Sequence, residues 1–440
     1  MKDNLQKGKL FDNALLKNIR SKFLNVSMDP KSKKKRIFFD NSGGAFRLKA
    51  ASNVFKKIDG YPDCPEHGNK TAKWLMKTQE KGYESIKTML NFDSGSIVTS
   101  YTASIVMFNM VRTVIENIPG KNIVTTLLEH PSSYDAVTSY ANKNKKEIRL
   151  AKTNPNTGGV DVKEIVKLID KDTALLVFMY ASNTSGALLD AKRIVKECRK
   201  IKPDLYIIAD AVQHAPHGVI DIKEVPVDGL NFAPYKFFGP RGFGVGYVSP
   251  RLSKLPHDKL LAKPESYWQL GSPAPAHFAA LTEVVKYVCT IGKYYLKSKD
   301  KRELFVEGMT RIKLHERALM HTMLEGTSSV QGLRSLDGIN VYLDCKDLRK
   351  KDFIMAIGFK KLGYKEAVIE YERYGIITFE RVISSPYSAR MLESFGLDGS
   401  IRVSPLHCHS LEDIEKFLKV TKKICKKLKK QEANLLLEKI

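Results

Sequence analysis

Cysteine is scarce in this sequence, and its spacing excludes the common cysteine-based sites. The six cysteines are scattered along the chain, at Cys64, Cys198, Cys289, Cys345, Cys408 and Cys425. No two of them form a CxxC pair, so the spacing supports neither a zinc site nor a disulfide framework. We therefore expect no bound metal, and we expect most of these thiols to be buried and inert.

Long apolar runs are also missing from the chain. No run reaches the roughly 18–20 residues that are needed to cross a bilayer. Residues 1–23 lack the apolar segment that a secretory signal requires. These absences predict a cytoplasmic protein with no membrane partner.

Acidic residues are too few to balance the basic ones. The chain has 48 Asp and Glu against 73 Lys and Arg, which gives a formal net charge of +25. Such a charge can bind nucleic acid. However, the two densest lysine clusters, at residues 31–36 and 422–430, are not interleaved with aromatic residues in any nucleic-acid motif. The second cluster lies in a helical pattern, where its lysines form the solvated face. We therefore do not expect a nucleic-acid partner.

What the chain does contain is a long alternation of apolar runs and helical patterns. Its 440 residues are enough for two or more domains. Strand-like runs lie at residues 96–100, 122–128, 147–150, 173–180 and 205–209, with helical patterns between them at 105–115, 133–142, 162–169 and 191–200. Such alternation predicts an α/β fold, in which helices cover both faces of a mostly parallel sheet.

The C-terminal part of the chain has a different texture. Helical patterns dominate from residue 278 to about 324, and shorter strands and helices follow them. This change predicts a smaller α+β domain at the C-terminal end. We divide the chain into an N-terminal extension (residues 1–36), a large domain (37–300) and a small domain (301–440).

Two charged residues stand at the ends of apolar runs. Asp210 ends the run that begins at Tyr206, and Lys236 lies among aromatic residues in the segment YKFFGPRGFGVGYV. Pyridoxal phosphate (PLP) chemistry requires an acid that keeps the pyridine nitrogen protonated and a lysine that holds the cofactor as a Schiff base. These two residues therefore predict a PLP site.

Polar segments follow the predicted strands in a fixed order. They are SYTAS at residues 100–104, EHPSS at 129–133, ASNTSG at 181–186, DAVQH at 210–214 and APYK at 233–236. Their order and spacing resemble the class V aminotransferase family, which has the PLP-dependent transferase fold type I and includes cysteine desulfurases and selenocysteine lyases. The resemblance covers nearly the whole chain from about Phe38. It implies a homodimeric PLP enzyme that acts on a small amino acid.

The resemblance also implies roles for five residues around the ring of the cofactor. Lys236 would form the Schiff base and move the proton at the α-carbon of the substrate. Asp210 would pair with the pyridinium nitrogen, and Gln213 would hydrogen-bond the phenolic oxygen. His130 would stack on the pyridine face. Asn183 would lie near the phenolic oxygen and the substrate carboxylate.

At the phosphate, the chain departs from the family pattern. Thr102 and Ala103 open a helix, whose first backbone N–H groups suit a phosphate. The family usually has serine at the position of Ala233 and histidine at that of Tyr235, and only the tyrosine still offers a hydroxyl. Ser272 matches a position that reaches the phosphate of the neighbouring subunit, which would make the site a product of homodimerisation.

On the substrate side, Arg402 matches the arginine that binds the α-carboxylate, and a guanidinium suits that role because it can pair with both oxygens. Cysteine desulfurases place a nucleophilic cysteine in the loop that matches residues 379–388. Here Tyr387 occupies that place, and the nearest thiol in sequence is Cys408. We expect a cysteine desulfurase-like C–S lyase without the usual loop cysteine. An aminotransferase or epimerase on the same fold is the alternative, and a non-enzymatic binding protein is a third hypothesis.

Overall fold

The computed structural model describes residues 6–437. The helices are α1 (Asn13–Ser21), α2 (Lys49–Asp59), α3 (Lys70–Leu90), α4 (Ala103–Asn117), α5 (Pro131–Lys143), α6 (Val162–Val166), α7 (Ala191–Ile201), α8 (Pro250–Ser253), α9 (Pro275–Tyr295), α10 (Lys301–Glu325), α11 (Tyr364–Arg373), α12 (Ala389–Glu393) and α13 (Leu411–Leu437). The strands are β1 (Ile37–Phe38), β2 (Ser96–Ser100), β3 (Asn122–Thr126), β4 (Glu147–Ala151), β5 (Thr173–Met179), β6 (Tyr206–Asp210), β7 (Gly229–Phe232), β8 (Gly244–Val248), β9 (Ile339–Tyr342), β10 (Met355–Phe359), β11 (Ile376–Ile377), β12 (Phe379–Val382) and β13 (Gly399–Val403).

The central sheet has the strand order β2-β8-β7-β6-β5-β3-β4. Neighbouring strands from β7 to β4 are parallel, while β8 runs antiparallel to both β7 and β2. Every residue of β3, β5, β6 and β7 is buried, as expected for strands that are covered by helices on both faces. The prediction of an α/β fold with a mostly parallel sheet is therefore confirmed.

A second, antiparallel sheet lies in the C-terminal part, with the order β12-β13-β10-β9. It has its own apolar core, to which Phe353 and Ile357 contribute together with Ile401 and Phe417. The smaller α+β unit predicted from the change in sequence texture is therefore present. Helix α10 enters both cores, because its first half packs into the main core and its second half into the smaller one.

The N-terminal residues are tied to both cores. Strand β1 pairs in parallel with β11 of the C-terminal part, and α1 packs Leu15, Leu16 and Ile19 into the main core. Residues on both sides of the predicted boundary at 36–37 thus make contacts with distant parts of the chain. The division into an extension, a large domain and a small domain stays a prediction.

The structure bears on the expectations about membrane-spanning helices, metal sites and thiols. No helix among the described residues is long and apolar enough to cross a membrane. Within residues 6–437, no three His, Cys, Asp or Glu side chains form a group that could hold a metal ion. All six cysteines are unpaired, and all except the partly exposed Cys64 are buried, which confirms the expectation of mostly buried thiols.

Candidate active site

Most of the predicted site residues meet at the carboxyl ends of the central strands, the usual place for a ligand in such a sheet. They line one cavity of about 230 Å³. The predicted residues on its wall are Thr102, Ala103, His130, Asn183, Asp210, Gln213, Tyr235 and Lys236. Ser272 is exposed on a loop before α9 and is not part of this wall.

Lys236 is held in the cavity by the tight turn that follows β7. In this turn, the backbone N–H of Lys236 donates to the carbonyl of Ala233 at 2.9 Å. The side chain is buried, and its Nζ donates a long hydrogen bond of 3.4 Å to Oε1 of Gln213. Burial, followed by the charge of Arg402, lowers the pKa of Lys236 to about 8. The amine is therefore easier to deprotonate than an exposed lysine, as a nucleophilic lysine requires.

Asp210 ends β6 and carries the acid of the cavity. Its Oδ1 accepts from the backbone N–H of Val212 at 2.9 Å, and its Oδ2 accepts from the hydroxyl of Ser133 at 3.1 Å. Burial raises the pKa of Asp210, while these hydrogen bonds and the charge of Lys236 oppose that shift. A buried carboxylate held in this way can pair with a cation inside the cavity.

His130 lies at the start of α5, where its Nδ1 accepts from the backbone N–H of Ser132 at 3.1 Å. Burial is the largest cause that lowers the pKa of His130 to about 3, and the charge of Lys236 comes next. The imidazole is therefore neutral at pH 7. A neutral, flat ring on the cavity wall has the chemistry that stacking on an aromatic ring requires.

Arg402 is buried beside Asn183 and is not itself on the cavity wall. Its Nη2 donates to Oδ1 of Asp40 at 2.7 Å, and its Nη1 donates to the carbonyl of Asn183 at 3.3 Å. Its Nε has no hydrogen-bond partner among the described residues. A guanidinium that is anchored in this way keeps donors for a further anion.

The sequence analysis missed a second arginine beside this one. Arg381 on β12 is buried, and its Nη2 donates to the carbonyl of Tyr387 at 3.1 Å. Burial and then the charge of Arg402 lower the pKa of Arg381 to about 9. A lone arginine in a short strand gives little signal in the sequence, because only the pairing of β12 with β13 brings it next to Arg402.

Another part of the cavity wall is formed by the start of α4 and the turn around Tyr235. Thr102 caps α4, since its hydroxyl accepts from the backbone N–H of Ile105 at 3.2 Å. Arg241, which the sequence analysis also missed, lines the cavity with its Cζ 4.4 Å from the centre of the Tyr235 ring. It stands in the GPRGF segment after Lys236, where it could have been noticed as a cation close to the reactive lysine.

The loop at residues 379–388 contains no thiol. Tyr387 is 66% exposed there. Cys408 is fully buried, and burial raises the pKa of its thiol. A buried thiol with a raised pKa is a poor nucleophile.

Known proteins share both the sequence pattern and the fold of this chain. A model of the family described as "Aminotransferase class-V" matches residues 37–417. A relative named "Probable cysteine desulfurase" from Borreliella burgdorferi is 25% identical over 424 residues, covering 89% of this chain and 92% of the relative. A solved cysteine desulfurase from Thermococcus onnurineus NA1 superposes with a TM-score of 0.75 at 20% identity, covering 89% of this chain and 95% of that one. The cysteine desulfurase CsdA of Escherichia coli gives a TM-score of 0.76 at 18% identity, covering 96% and 100%.

The fold, the site and these matches together define a PLP-dependent enzyme of fold type I. Within that class, the chain belongs to the class V aminotransferase family. The family resemblance predicted from the five polar segments is therefore confirmed, as is the use of PLP.

The residues of the cavity fit this cofactor. A buried amine with a lowered pKa lies in the same cavity as a buried carboxylate, and the start of a helix forms another part of the wall. An amine suits the aldehyde of PLP, the carboxylate suits its pyridinium nitrogen, and a helix N-terminus suits its phosphate. The role of each residue stays a prediction.

Proposed function

We propose that the protein cleaves the C–S bond of a small amino acid such as cysteine and releases the sulfur as free sulfide. The observation that carries this proposal is the lack of any thiol at residues 379–388 beside a cavity equipped for amino-acid chemistry. Relatives named cysteine desulfurase support the choice of a sulfur-containing substrate. With Tyr387 in the loop and Cys408 fully buried, neither position offers an accessible thiol to take the sulfur.

Each residue of the cavity has a part in this proposal. When bound, PLP supplies an electron sink for negative charge at the α-carbon of the substrate. Lys236 holds the cofactor and takes the proton from the α-carbon, and Asp210 faces the pyridinium nitrogen. His130 stacks on the ring, and Gln213 donates to the phenolic oxygen through its amide.

The substrate is held by its carboxylate in the proposal. Arg402 binds the α-carboxylate, and its anchor to Asp40 fixes the direction of the guanidinium. The carbonyl of Asn183 accepts a further hydrogen bond from the same arginine. This arrangement orients the α-carbon toward the amine of Lys236.

The overall reaction is an elimination that balances without an added oxidant or reductant. The α-proton passes to Lys236, the bond between the β-carbon and sulfur breaks, and sulfide leaves with the bonding electrons. Addition of one water and loss of ammonia then give pyruvate. Cysteine and water thus yield pyruvate, ammonia and hydrogen sulfide in equal amounts.

We also propose that the active enzyme is a homodimer. Ser272 is exposed and lies outside the cavity of its own chain, as expected for a residue that completes the site of a neighbour. Large apolar side chains are exposed nearby in sequence, with Leu261 at 97% and Leu270 at 58%. Light scattering of the purified protein should give the mass of two chains, and a monomer would remove the support for this arrangement.

The test of the reaction is an assay of all four products at once. The purified, PLP-loaded protein is incubated with a panel of amino acids, and sulfide, pyruvate, ammonia and alanine are measured. We expect sulfide, pyruvate and ammonia in equal amounts from cysteine, with Lys236→Ala as the inactive control. Alanine, with sulfur kept on the protein, would indicate a persulfide route instead. A keto acid that forms only with an amino acceptor would indicate an aminotransferase, and inversion at the α-carbon would indicate an epimerase.

A further inference from the structure

The phosphate end of the cavity lacks two of the side chains that the family usually places there. Ala233 has no hydroxyl, and Tyr235 replaces the usual histidine. The hydroxyl of Thr102 accepts the N-cap hydrogen bond of α4, which leaves its proton as the one side-chain donor that Thr102 can offer a phosphate. The first backbone N–H groups of α4 remain free by the geometry of any helix start. On their own they carry only about half a positive charge, whereas a phosphate monoester carries close to two negative charges.

Arg241 lies in the part of the cavity where these side-chain ligands are missing. It lines the same cavity as Thr102, Ala103 and Tyr235. Its guanidinium is stacked on the ring of Tyr235, with Cζ 4.4 Å from the ring centre. Within residues 6–437, the guanidinium of Arg241 makes no hydrogen bond or ion pair, so its donors are available to an anion.

The guanidinium of Arg241 also lies close to Gly44. A Cβ atom built at Gly44 would stand 2.7 Å from Nη2 of Arg241, which is closer than real side chains allow. The glycine therefore leaves open the space that the guanidinium fills. The contact with the Tyr235 ring and the space left at Gly44 together allow the guanidinium of Arg241 to lie at the cavity wall.

A second arginine adds to the positive charge at this end. Arg47 donates from Nη1 to the carbonyl oxygens of Tyr235, at 2.8 Å, and of Ala45. Burial first, and then the charge of Arg241, lower the pKa of Arg47 to about 10. Among the described residues, neither arginine forms an ion pair with a carboxylate. Two neighbouring cations without an acid are the charge pattern of an anion site.

We propose that Arg241 binds the phosphate of PLP in this enzyme, in place of the side chains that Ala233 and Tyr235 no longer provide. The start of α4 holds the phosphate through its backbone, and Arg241 supplies the charge-assisted hydrogen bonds. Arg47 acts through Tyr235 as a positioning residue, because its donors are used on the backbone of the turn. The inference rests on the proposed attachment of PLP at Lys236.

The experiment compares two ligands that differ only in the phosphate. The full-length apoprotein is titrated with PLP and with pyridoxal, and the two dissociation constants are measured by absorption. For Arg241→Gln we expect the preference for PLP over pyridoxal to fall about 10- to 100-fold, the range for the loss of a hydrogen bond to a charged group. Pyridoxal affinity should stay within about twofold, because the ring contacts are untouched.

Two variants act as controls. Arg373→Gln removes the same charge from an exposed arginine on α11, whose partner is Glu370, and should leave the preference unchanged. Tyr235→Phe keeps the ring under Arg241 but removes the hydroxyl, so the preference should fall less than in Arg241→Gln. A larger fall in Tyr235→Phe than in Arg241→Gln would make the tyrosine hydroxyl the ligand and overturn the inference.

Failure of the inference can be told apart from failure of the proposed site. Borohydride reduction followed by peptide mass analysis shows whether PLP is attached to Lys236 in the unmodified protein. If it is not, the assignment of the lysine itself is wrong. If it is attached and Arg241→Gln keeps the full preference for PLP, only the role of Arg241 is wrong. Loss of affinity that accompanies dissociation of the variant into monomers would assign Arg241 to a subunit contact and would also overturn the inference.

Discussion

Two lysines of this protein are almost equally buried, yet their surroundings differ. Burial lowers the pKa of both Lys236 and Lys351 to about 8. Nζ of Lys351 donates to the carbonyl of Leu343 at 3.2 Å, and the residue is not on the cavity wall. Lys236 has only a long contact to Gln213 and opens onto a cavity that also holds Asp210. A lowered pKa therefore does not mark a reactive lysine by itself; open space beside the amine and a facing acid do.

The largest expected effect separates these two lysines. Lys236→Ala should lower the rate of product formation by at least about 10³-fold, because the covalent attachment and the proton transfer are both lost. The measurement is the rate of sulfide and pyruvate formation, with peptide mass analysis for attached PLP. Lys351→Met is the matched control. Its rate of product formation and its content of attached PLP should stay within about twofold of the unmodified protein. Equal loss of activity in the two variants would mean that both lysines act by supporting the fold and that Lys236 has no chemical part of its own.

The next effect concerns the arginine on the substrate side. Arg402→Ala should weaken binding of the amino-acid substrate by about 2–5 kcal/mol, the range for truncating one partner of a buried charge pair. Asp40 is then left without the guanidinium with which it forms an ion pair, which adds to the loss. The measurement is KM together with the dissociation constant of a non-reacting amino acid, and Arg373→Ala is the exposed control. An unchanged KM would show that Arg402 does not bind the carboxylate.

A pH titration sharpens the comparison without any mutation. Only the neutral amine of Lys236 can attack an aldehyde, and its pKa of about 8 sets the fraction that is neutral. The rate at which PLP attaches to the apoprotein should therefore rise about tenfold per pH unit below pH 8 and level off above it. His130 stays neutral throughout this range, since its pKa is lowered to about 3. A rate that keeps rising to about pH 10 would mean that Lys236 titrates like an exposed lysine.

The smallest expected effect is at the thiol nearest the site in sequence. Cys408→Ala should leave the rate of sulfide release within about twofold, because a fully buried thiol with a raised pKa has no access to the substrate. The free energy of unfolding should fall by about 1 kcal/mol, since the smaller side chain leaves a small void. Denaturant unfolding measures the second quantity. Loss of most of the activity in a folded Cys408→Ala variant would instead support the persulfide route.

The sequence was informative where apolar runs and polar segments follow each other closely. The runs that became β5 and β6 are almost wholly apolar, so their burial was predictable, and Asp210 marked the end of one of them. Five polar segments in order then located most of the cavity wall. Helix α2 had no counterpart among the predicted elements, and only Ala51 and Ile58 of that helix are fully buried.

Contacts between distant parts of the chain were beyond the sequence patterns. Asp40 and Arg402 meet across 362 positions, and no local periodicity links them. Arg381 reaches the same place only because β12 pairs with β13. The stacking of Arg241 on Tyr235 depends on the turn between them and on the empty space at Gly44.

The ion pair between Asp40 and Arg402 has a consequence for how the protein is made. Because a chain leaves the ribosome N-terminus first, Asp40 is synthesised long before Arg402, its partner in the ion pair. The strands of the central sheet, β2 to β8, come from one continuous stretch, residues 96–248, which also carries the whole cavity wall. All residues that line the cavity are therefore synthesised before Arg402, the residue proposed to bind the substrate carboxylate.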